Sequence, residues 1–252
     1  MVNPDLGSTS VVRNLHDCFK WMDHCIGQLH RHLGEERFEA ATQSLLSSSV
    51  SISFSGIGTP EYSRTALLHA LASFTGNASL ATKAKASHAD SWACELEAES
   101  RYELMMQDLG PRHVYGDING FIHIGFQEDL MRNGSRLNYD DMLRMFRSTY
   151  TKLISRKAWC YRCSAYCTAV RCVLHVAGTP CIAWSTMGTR CGASGPTLLC
   201  FMVWAFQRLL IQEDAVLHEN TPEFNSDLLL ELLQEFYIVS SLVKLNTRTH
   251  LM

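Results

Sequence analysis

The chain has no apolar run long enough to cross a membrane. Its longest, Leu198 to Phe206, falls far short of the ~20 residues a span needs. The N-terminus shows no charged stretch leading into an apolar core, so no secretory signal is visible. Neither sign of charge dominates: 22 basic and 25 acidic residues leave a net −3. That balance gives no global pull toward a polyanion, and any surface for nucleic acid has to be local. What is present is ordinary for a soluble globular chain, 46% hydrophobic and 19% charged. A length of 252 residues suits one large α/β domain, or one domain with an appendage. Ten cysteines without a secretory signal read as reduced thiols, metal ligands or a nucleophile rather than a disulfide framework. Asn77-Ala78-Ser79 matches a glycosylation acceptor that, without secretion, carries no meaning.

Residues 1–48 are expected to form a helical extension. Leu15, Phe19, Met22, Ile26, Leu29 and Leu33 are spaced 4, 3, 4, 3 and 4 apart, which predicts an amphipathic helix from Val12 to about Leu33. Gly34 ends it, and Phe38, Ala41, Leu45 and Leu46 mark a second helix, so that the pair packs as a hairpin on the rest of the chain. His16, Cys18, His24, Cys25, His30 and His32 on the first helix fit either a metal site or, more plainly, a solvated polar face. The main domain, 49–252, begins where Val50 to Phe54 alternates like a strand and enters Ser55-Gly56-Ile57-Gly58-Thr59-Pro60 ahead of a helix from Tyr62 to Phe74. A strand, a Gly-rich turn and a helix N-terminus let backbone N–H groups face a ligand.

The central stretch runs from Cys172 to Phe224. An apolar strand, Val173 to Ala177, stops at Gly178-Thr179-Pro180-Cys181, with Trp184-Ser185 close behind. A long apolar helix follows from Thr197 to Ile211, then a short strand Ala215-Val216-Leu217 ending at His218-Glu219-Asn220. This is one βαβ unit with a thiol and a carboxyl group at the carboxyl ends of its strands, the edge where open α/β sheets bind ligands. Gly178-Thr179-Pro180-Cys181 followed 38 residues later by Glu219-Asn220 resembles the nucleophile and acid motifs of the cytosine-C5 methyltransferases. That chemistry needs both groups. Carbon 5 of cytosine is too weak a nucleophile for a sulfonium methyl until a thiolate adds to carbon 6, and a carboxyl group near ring nitrogen 3 stabilises the resulting charge. A buried, inert cysteine is the plain alternative for an isolated Pro-Cys.

The resemblance implies a Rossmann-like class I methyltransferase sheet, α/β in class, incomplete at its C-terminal end and preceded by the helical extension. It assigns S-adenosylmethionine to Phe54-Ser55-Gly56-Ile57-Gly58, to an acid ending the second strand (Glu95 in Trp92-Ala93-Cys94-Glu95, with Glu97 the lesser candidate), to Asp117-Ile118 closing the third strand from His113, and to Pro180. Cys181 and Glu219 become catalytic, and Ser185 and Asn220 contact the base. Ile52 and Thr59 depart from the family's usual acid and second glycine, Ile182 from the usual polar residue after the cysteine, and Thr221 from the usual aliphatic residue.

Residues 121–171 form an insertion. Asn138 caps a predicted helix from Tyr139 to Ile154, with Met142, Met145, Phe146, Tyr150 and Leu153 on one side. Arg132 to Arg171 holds nine Lys or Arg against two acids, interleaved with Tyr150, Trp159, Tyr161 and Tyr166. It reads either as a phosphate-binding surface or as a solvated face. Cys160, Cys163, Cys167 and Cys172 fit either a structural zinc or a cluster of reduced thiols. A capped helix from Asn225 to Phe236 and a sixth strand, Tyr237 to Val239 with Leu242-Val243, are expected to close the chain.

The expected activity is methyl transfer to cytosine in DNA, with RNA, as a tRNA substrate, left open and the nucleus, or in a prokaryote the cytoplasm, as its place. No membrane is involved. A target-recognition region is missing from the expected pattern, so a second chain supplying it, or a truncated non-catalytic form, stays open. An unrelated dinucleotide-binding oxidoreductase would instead bind NAD and leave Cys181 and Glu219 unexplained.

Overall fold

A computed structural model describes residues 17–77, 79–80, 91–107, 110–133 and 137–240. Its centre is a sheet of seven strands: β1 (Val50–Ser53), β2 (Trp92–Cys94), β3 (His113–Tyr115), β4 (Lys157–Cys160), β5 (Ala165–Thr168), β6 (Leu174–Gly178) and β7 (Ala215–Glu219). They lie in the order β5-β4-β3-β2-β1-β6-β7. Strands β1, β2, β3, β6 and β7 are parallel, while β4 and β5 form an antiparallel hairpin on the β3 edge. The chain therefore winds outward from β1 to β3, crosses back, and lays β6 and β7 on the other side of β1. This is a mixed α/β sheet of Rossmann-like type, with its topological switch between β1 and β6, where ligand crevices form.

Among the described residues, the helices that cover it include α1 (Asp17–Leu33), α2 (Glu35–Ser47), α3 (Thr59–Thr75), α4 (Ala98–Met106), α5 (Ile124–Asn133), α6 (Tyr139–Leu153), α7 (Leu198–Ile211) and α8 (Asp227–Leu233). Paired residues in neighbouring strands share a face. Trp92, Cys94, Tyr115 and Ala177 join α6, α7 and α8 in the main core, where Phe146 and Phe206 meet at 5.2 Å. The apolar α7 is buried around nearly its whole circumference, as its unbroken run from Leu198 requires. On the opposite face Ala93 and Val114 pack on Leu104 of α4. Met22, Ile26, Phe38, Leu46, Leu68 and Leu71 bind the α1–α2 hairpin to α3, as the spacing of the first two helices anticipated. Residues 12–16 of the expected first helix lie outside the described residues.

Three expectations change. The third strand stops at Tyr115, because Asp117 turns the chain by accepting the Asn119 N–H and capping a 3-10 helix, Ile118–Phe121. The insertion contains an additional helix, α5, and the β4–β5 hairpin. Tyr237 to Val239 is not a strand: Tyr237 N–H bonds Leu233 O at 2.9 Å, prolonging the end of α8, and Ile238 is 99% exposed. Leu242-Val243 lies outside the described residues. Among those residues, β7 is the last strand of the sheet.

Beneath the switch lies a polar seam that the apolar pattern of α7 conceals. Trp204 Nε1 donates to His175 Nε2 at 3.1 Å, so His175 carries its proton on Nδ1, 2.8 Å from Ser51 Oγ. Burial holds the His175 pKa well below the usual imidazole value, with the Arg208 charge adding to the effect. Arg208 pairs with Glu213 and bonds Gln207 Oε1, all three buried, and its guanidinium lies 5.3 Å from the Trp92 ring. The Tyr237 hydroxyl reaches Glu213 Oε2 at 3.3 Å. Burial raises the Glu213 pKa even though the Arg208 charge opposes it.

Candidate active site at the switch of the sheet

The turn after β1 is built from left-handed backbone. Phe54, Gly56 and Gly58 have φ of 59°, 55° and 85°, and Pro60 lies at the start of α3. Such φ values suit glycine; at Phe54 they store strain, held by N–H bonds from Phe54 and Ser55 to Cys94 O at 2.9 and 3.3 Å. A side chain at Gly56 would meet open space. Ser55 is buried, with Oγ 3.2 Å from Cys94 O, while Ile57 is exposed.

Glu95, just past β2, is tied to this turn. Its Oε2 accepts the Gly56 N–H at 2.6 Å and its Oε1 the Glu97 N–H at 2.9 Å. Each carboxylate oxygen keeps a second lone pair. Glu97 is exposed and precedes α4 without a side-chain cap bond. Asp117 Oδ1 accepts from Asn119 N at 2.9 Å, and Ile118 beside it is buried. Glu95 and Asp117 therefore lie at the expected strand ends and also serve the backbone there.

Across the switch, β6 ends at Gly178, which pairs with Glu219, the last residue of β7. A Cβ at 178 would stand 3.4 Å from Glu219 Oε2 and 4.0 Å from Phe54 O. The first turn, the acid and the start of the thiol loop thus converge on one glycine. Cys181 and Glu219 are both exposed, and Pro180 is half-buried. A strut ties the two strand ends together. Asn220 Nδ2 donates to Thr179 O at 3.1 Å and to Thr179 Oγ1 at 3.0 Å, and its Oδ1 accepts from Thr221 N at 2.8 Å. The two backbone partners fix the orientation of the amide. Thr179 Oγ1 in turn lies 2.7 Å from His218 Nε2 and donates to it. His218 packs among Phe201, Trp204 and Phe224, and burial lowers its pKa to about 4. Asn220, expected at the base, is structural in this arrangement.

Past Cys181 the loop is braced by its own backbone. Trp184 and Ser185 donate N–H bonds to Cys181 O at 2.9 and 2.8 Å, and Thr189 N–H bonds Ile182 O at 2.8 Å. Gly188 is required there, since a Cβ would lie 1.9 Å from Ile182 O. Trp184 packs edge-on against Phe224 at 5.1 Å. A shallow depression of about 330 Å³ opens along Ala183, Trp184, Thr186, Arg190, Gly192 and Glu223, and neither Cys181 nor Glu219 lines it.

At the far edge the structure regroups the cysteines. Cys160, Cys163 and Cys167 come together with His113, which the spacing of the cysteines did not reveal, their ligand atoms within 4.8 Å of one another. Cys172 is buried at the start of β6, outside that group. The histidines of α1 form no such group among the described residues; His30 bonds Glu35 at 2.7 Å and packs on Phe38, and His16 lies outside them. Four of the nine cations of the basic stretch are engaged locally. Arg144, Arg147 and Arg171 pair with Asp141, Glu231 and Asp214, and Arg162 bonds the carbonyls of Leu104 and Met105. Exposed Trp159 and Tyr166 meet at 5.6 Å on the hairpin's outer side, beside exposed Lys157. No described helix is long and apolar enough to cross a membrane.

No protein-family model, curated protein or solved structure matches the chain.

Proposed function

We propose that the chain is a cytosine-C5 methyltransferase-type protein acting on DNA, with Cys181 as nucleophile and Glu219 at ring nitrogen 3. The observation that carries this reading is the convergence at Gly178 of the Phe54 carbonyl, the Glu219 carboxylate and the loop leading to Cys181. It supports a reading in which a glycine turn, an acid and the loop that carries a thiol share the carboxyl edge of a parallel sheet, at its switch.

S-adenosylmethionine, when bound, supplies an electrophilic methyl group. The residues suit it in three places. The turn 54–58 has open space at Gly56, Glu95 keeps lone pairs for ribose hydroxyls, and Asp117 Oδ2, which accepts from Asn119 Nδ2 at 3.5 Å, keeps a lone pair for an adenine amino proton. Cys181 adds through sulfur to carbon 6, and Glu219 hydrogen-bonds nitrogen 3 as negative charge builds there. Carbon 5 then takes the methyl group as that group's bond to the cofactor's sulfonium sulfur breaks, leaving a neutral thioether. Carbon 5 loses its proton to a base, and the Cys181 sulfur–carbon 6 bond breaks to free the thiolate. The braced loop from Cys181 to Thr189 holds the sulfur while the base is extruded to meet it. Ser185 is placed on that loop, and Lys157, Trp159 and Tyr166 offer a local cationic and aromatic surface to a nucleic acid strand.

The depression that leaves out both Cys181 and Glu219 favours a second reading, a methyltransferase-like protein without catalysis. One experiment separates the two. The chain is incubated with S-adenosylmethionine and a duplex containing 5-fluorocytosine, whose fluorine cannot leave. A covalent adduct that Cys181→Ser abolishes supports methyl transfer. Cofactor binding without an adduct supports the second reading, and binding of NAD alone overturns both. A single-stranded RNA arm distinguishes the polymers.

A further inference from the structure

We propose that His113, Cys160, Cys163 and Cys167 form a structural zinc site that clips the β4–β5 hairpin to β3. The inference is independent of the methyl-transfer reading and concerns the opposite end of the sheet.

The imidazole stands at tetrahedral distance from two of the thiols, and the third is close by. Zinc–sulfur bonds of ~2.3 Å and zinc–nitrogen bonds of ~2.0 Å place neighbouring ligand atoms about 3.5–3.8 Å apart. His113 Nδ1 lies 3.7 Å from Cys160 Sγ and 3.4 Å from Cys163 Sγ, and Cys167 completes a group in which no two ligand atoms are more than 4.8 Å apart. Three thiols and an imidazole are soft donors that select zinc over magnesium or calcium, which take oxygen. Four protein ligands leave no open position, so the site is structural rather than catalytic.

The local fold explains why a clip is needed. β4 meets β3 through a single register pair, Tyr115 and Cys160. The hairpin buries only Ala158 and Cys160 of β4, while Trp159 and Tyr166 face outward. A two-stranded hairpin with so little buried surface is marginal by itself. The turn at 161–164, with Ser164 left-handed at φ 51°, brings Cys163 back toward Cys160. A second observation points to the same ion. The buried Tyr115 hydroxyl, on the residue paired in register with Cys160, has no hydrogen-bond partner. Metal-bound thiolates are acceptors for such donors.

The clip reaches toward the candidate cofactor edge. Tyr161, inside the turn, packs so closely on Gly116 that a Cβ there would meet its ring at 2.9 Å, and the Arg101 guanidinium stands 4.3 Å from the ring centre. Arg162 bonds Leu104 O and Met105 O at the end of α4 at 3.0 and 2.9 Å. Securing the turn therefore steadies the segment between β3 and Asp117.

The test uses the full chain, reduced and reconstituted with Co(II) as an optical stand-in for zinc. The wild-type chain is expected to bind one equivalent with tetrahedral ligand-field bands and thiolate-to-cobalt charge transfer. Cys163→Ser and Cys167→Ser, both at sites with solvent access, are expected to lose that spectrum, while Cys172→Ser and Cys181→Ser keep it. His113→Cys is expected to retain the metal with a spectrum shifted toward four thiolates, a readout that misfolding cannot imitate. Failure of the folded, reduced wild-type chain to take up Co(II), or an unchanged spectrum in both serine variants, overturns the site.

Discussion

The sheet carries thiols at two places that treat sulfur in opposite ways. At the switch, Cys181 stands alone and exposed on a loop braced by backbone bonds, with a carboxylate on the neighbouring strand end. At the far edge, Cys160, Cys163 and Cys167 of the hairpin gather with the His113 imidazole of β3. Between these sites, burial raises Cys172 to about 11 and Cys200 to about 12, which suits inert core packing. Surroundings, more than residue type, sort nucleophile from ligand from filler.

The largest test of that contrast is an exchange of phenotypes. Cys181→Ser is expected to abolish adduct formation while leaving the metal spectrum unchanged. Cys163→Ser is expected to lose the spectrum while Cys181 still reacts with iodoacetamide in the folded chain. Parallel losses in both variants would show that the two regions are one. Next in size is Arg208→Met, which leaves the buried Glu213 without its cation. Removing one member of a buried pair costs about 3–5 kcal/mol. The urea midpoint should fall accordingly, with most of it recovered in Arg208→Met/Glu213→Leu.

How far these regions were legible in the sequence differs for a physical reason. The β1 turn and the β6–α7–β7 unit announce themselves because strand, glycine turn and apolar helix are contiguous. Asn138 was readable as a cap because its partner, the Asp141 N–H, is three residues away. The hairpin was not, since Lys157 to Cys160 and Ala165 to Thr168 are short strands with aromatic residues facing out. His113 joins the thiols across 47 residues of sequence, a distance no local spacing reveals. The polar seam hid in the same way, with Arg208 and Glu213 flanking an apolar helix end and His175 inside an apolar strand. Tyr237 to Val239 has strand-forming residues but spends its tyrosine on the seam, where the hydroxyl bonds Arg208 O and Glu213.

Acid should tell the switch half of the sheet from a sheet without buried imidazoles. His175 and His218 have native pKa values lowered by burial, His218 to about 4. Once unfolded, each takes up a proton below ~6.5, so the unfolded state binds more protons there. Stability is therefore complete above that value and falls as pH drops. Between pH 7 and 5.5 the loss should be about 2 kcal/mol, roughly half of it from each ring. Urea midpoints at the two pH values check this, and His218→Gln should remove about half of the difference. A profile unchanged by that substitution would place the proton uptake elsewhere.

The smallest effect is also the most informative about the switch itself. Asn220 bonds Thr179 O, Thr179 Oγ1 and Thr221 N, and Thr179 is buried two residues before the nucleophile. Asn220→Ala strands a buried carbonyl and a backbone N–H, at a cost of about 1–2 kcal/mol. If Asn220 is only a strut, the adduct forms more slowly while the cytosine concentration at half-maximal rate stays the same. If it also touches the base, that concentration rises as well. Asn220→Asp separates the two further, because it keeps the acceptor for Thr221 N–H and loses the donor to Thr179. A variant that stays stable yet raises that concentration would place the amide among the groups that meet substrate, and the strut would then be the resting arrangement of a residue that turns toward the base.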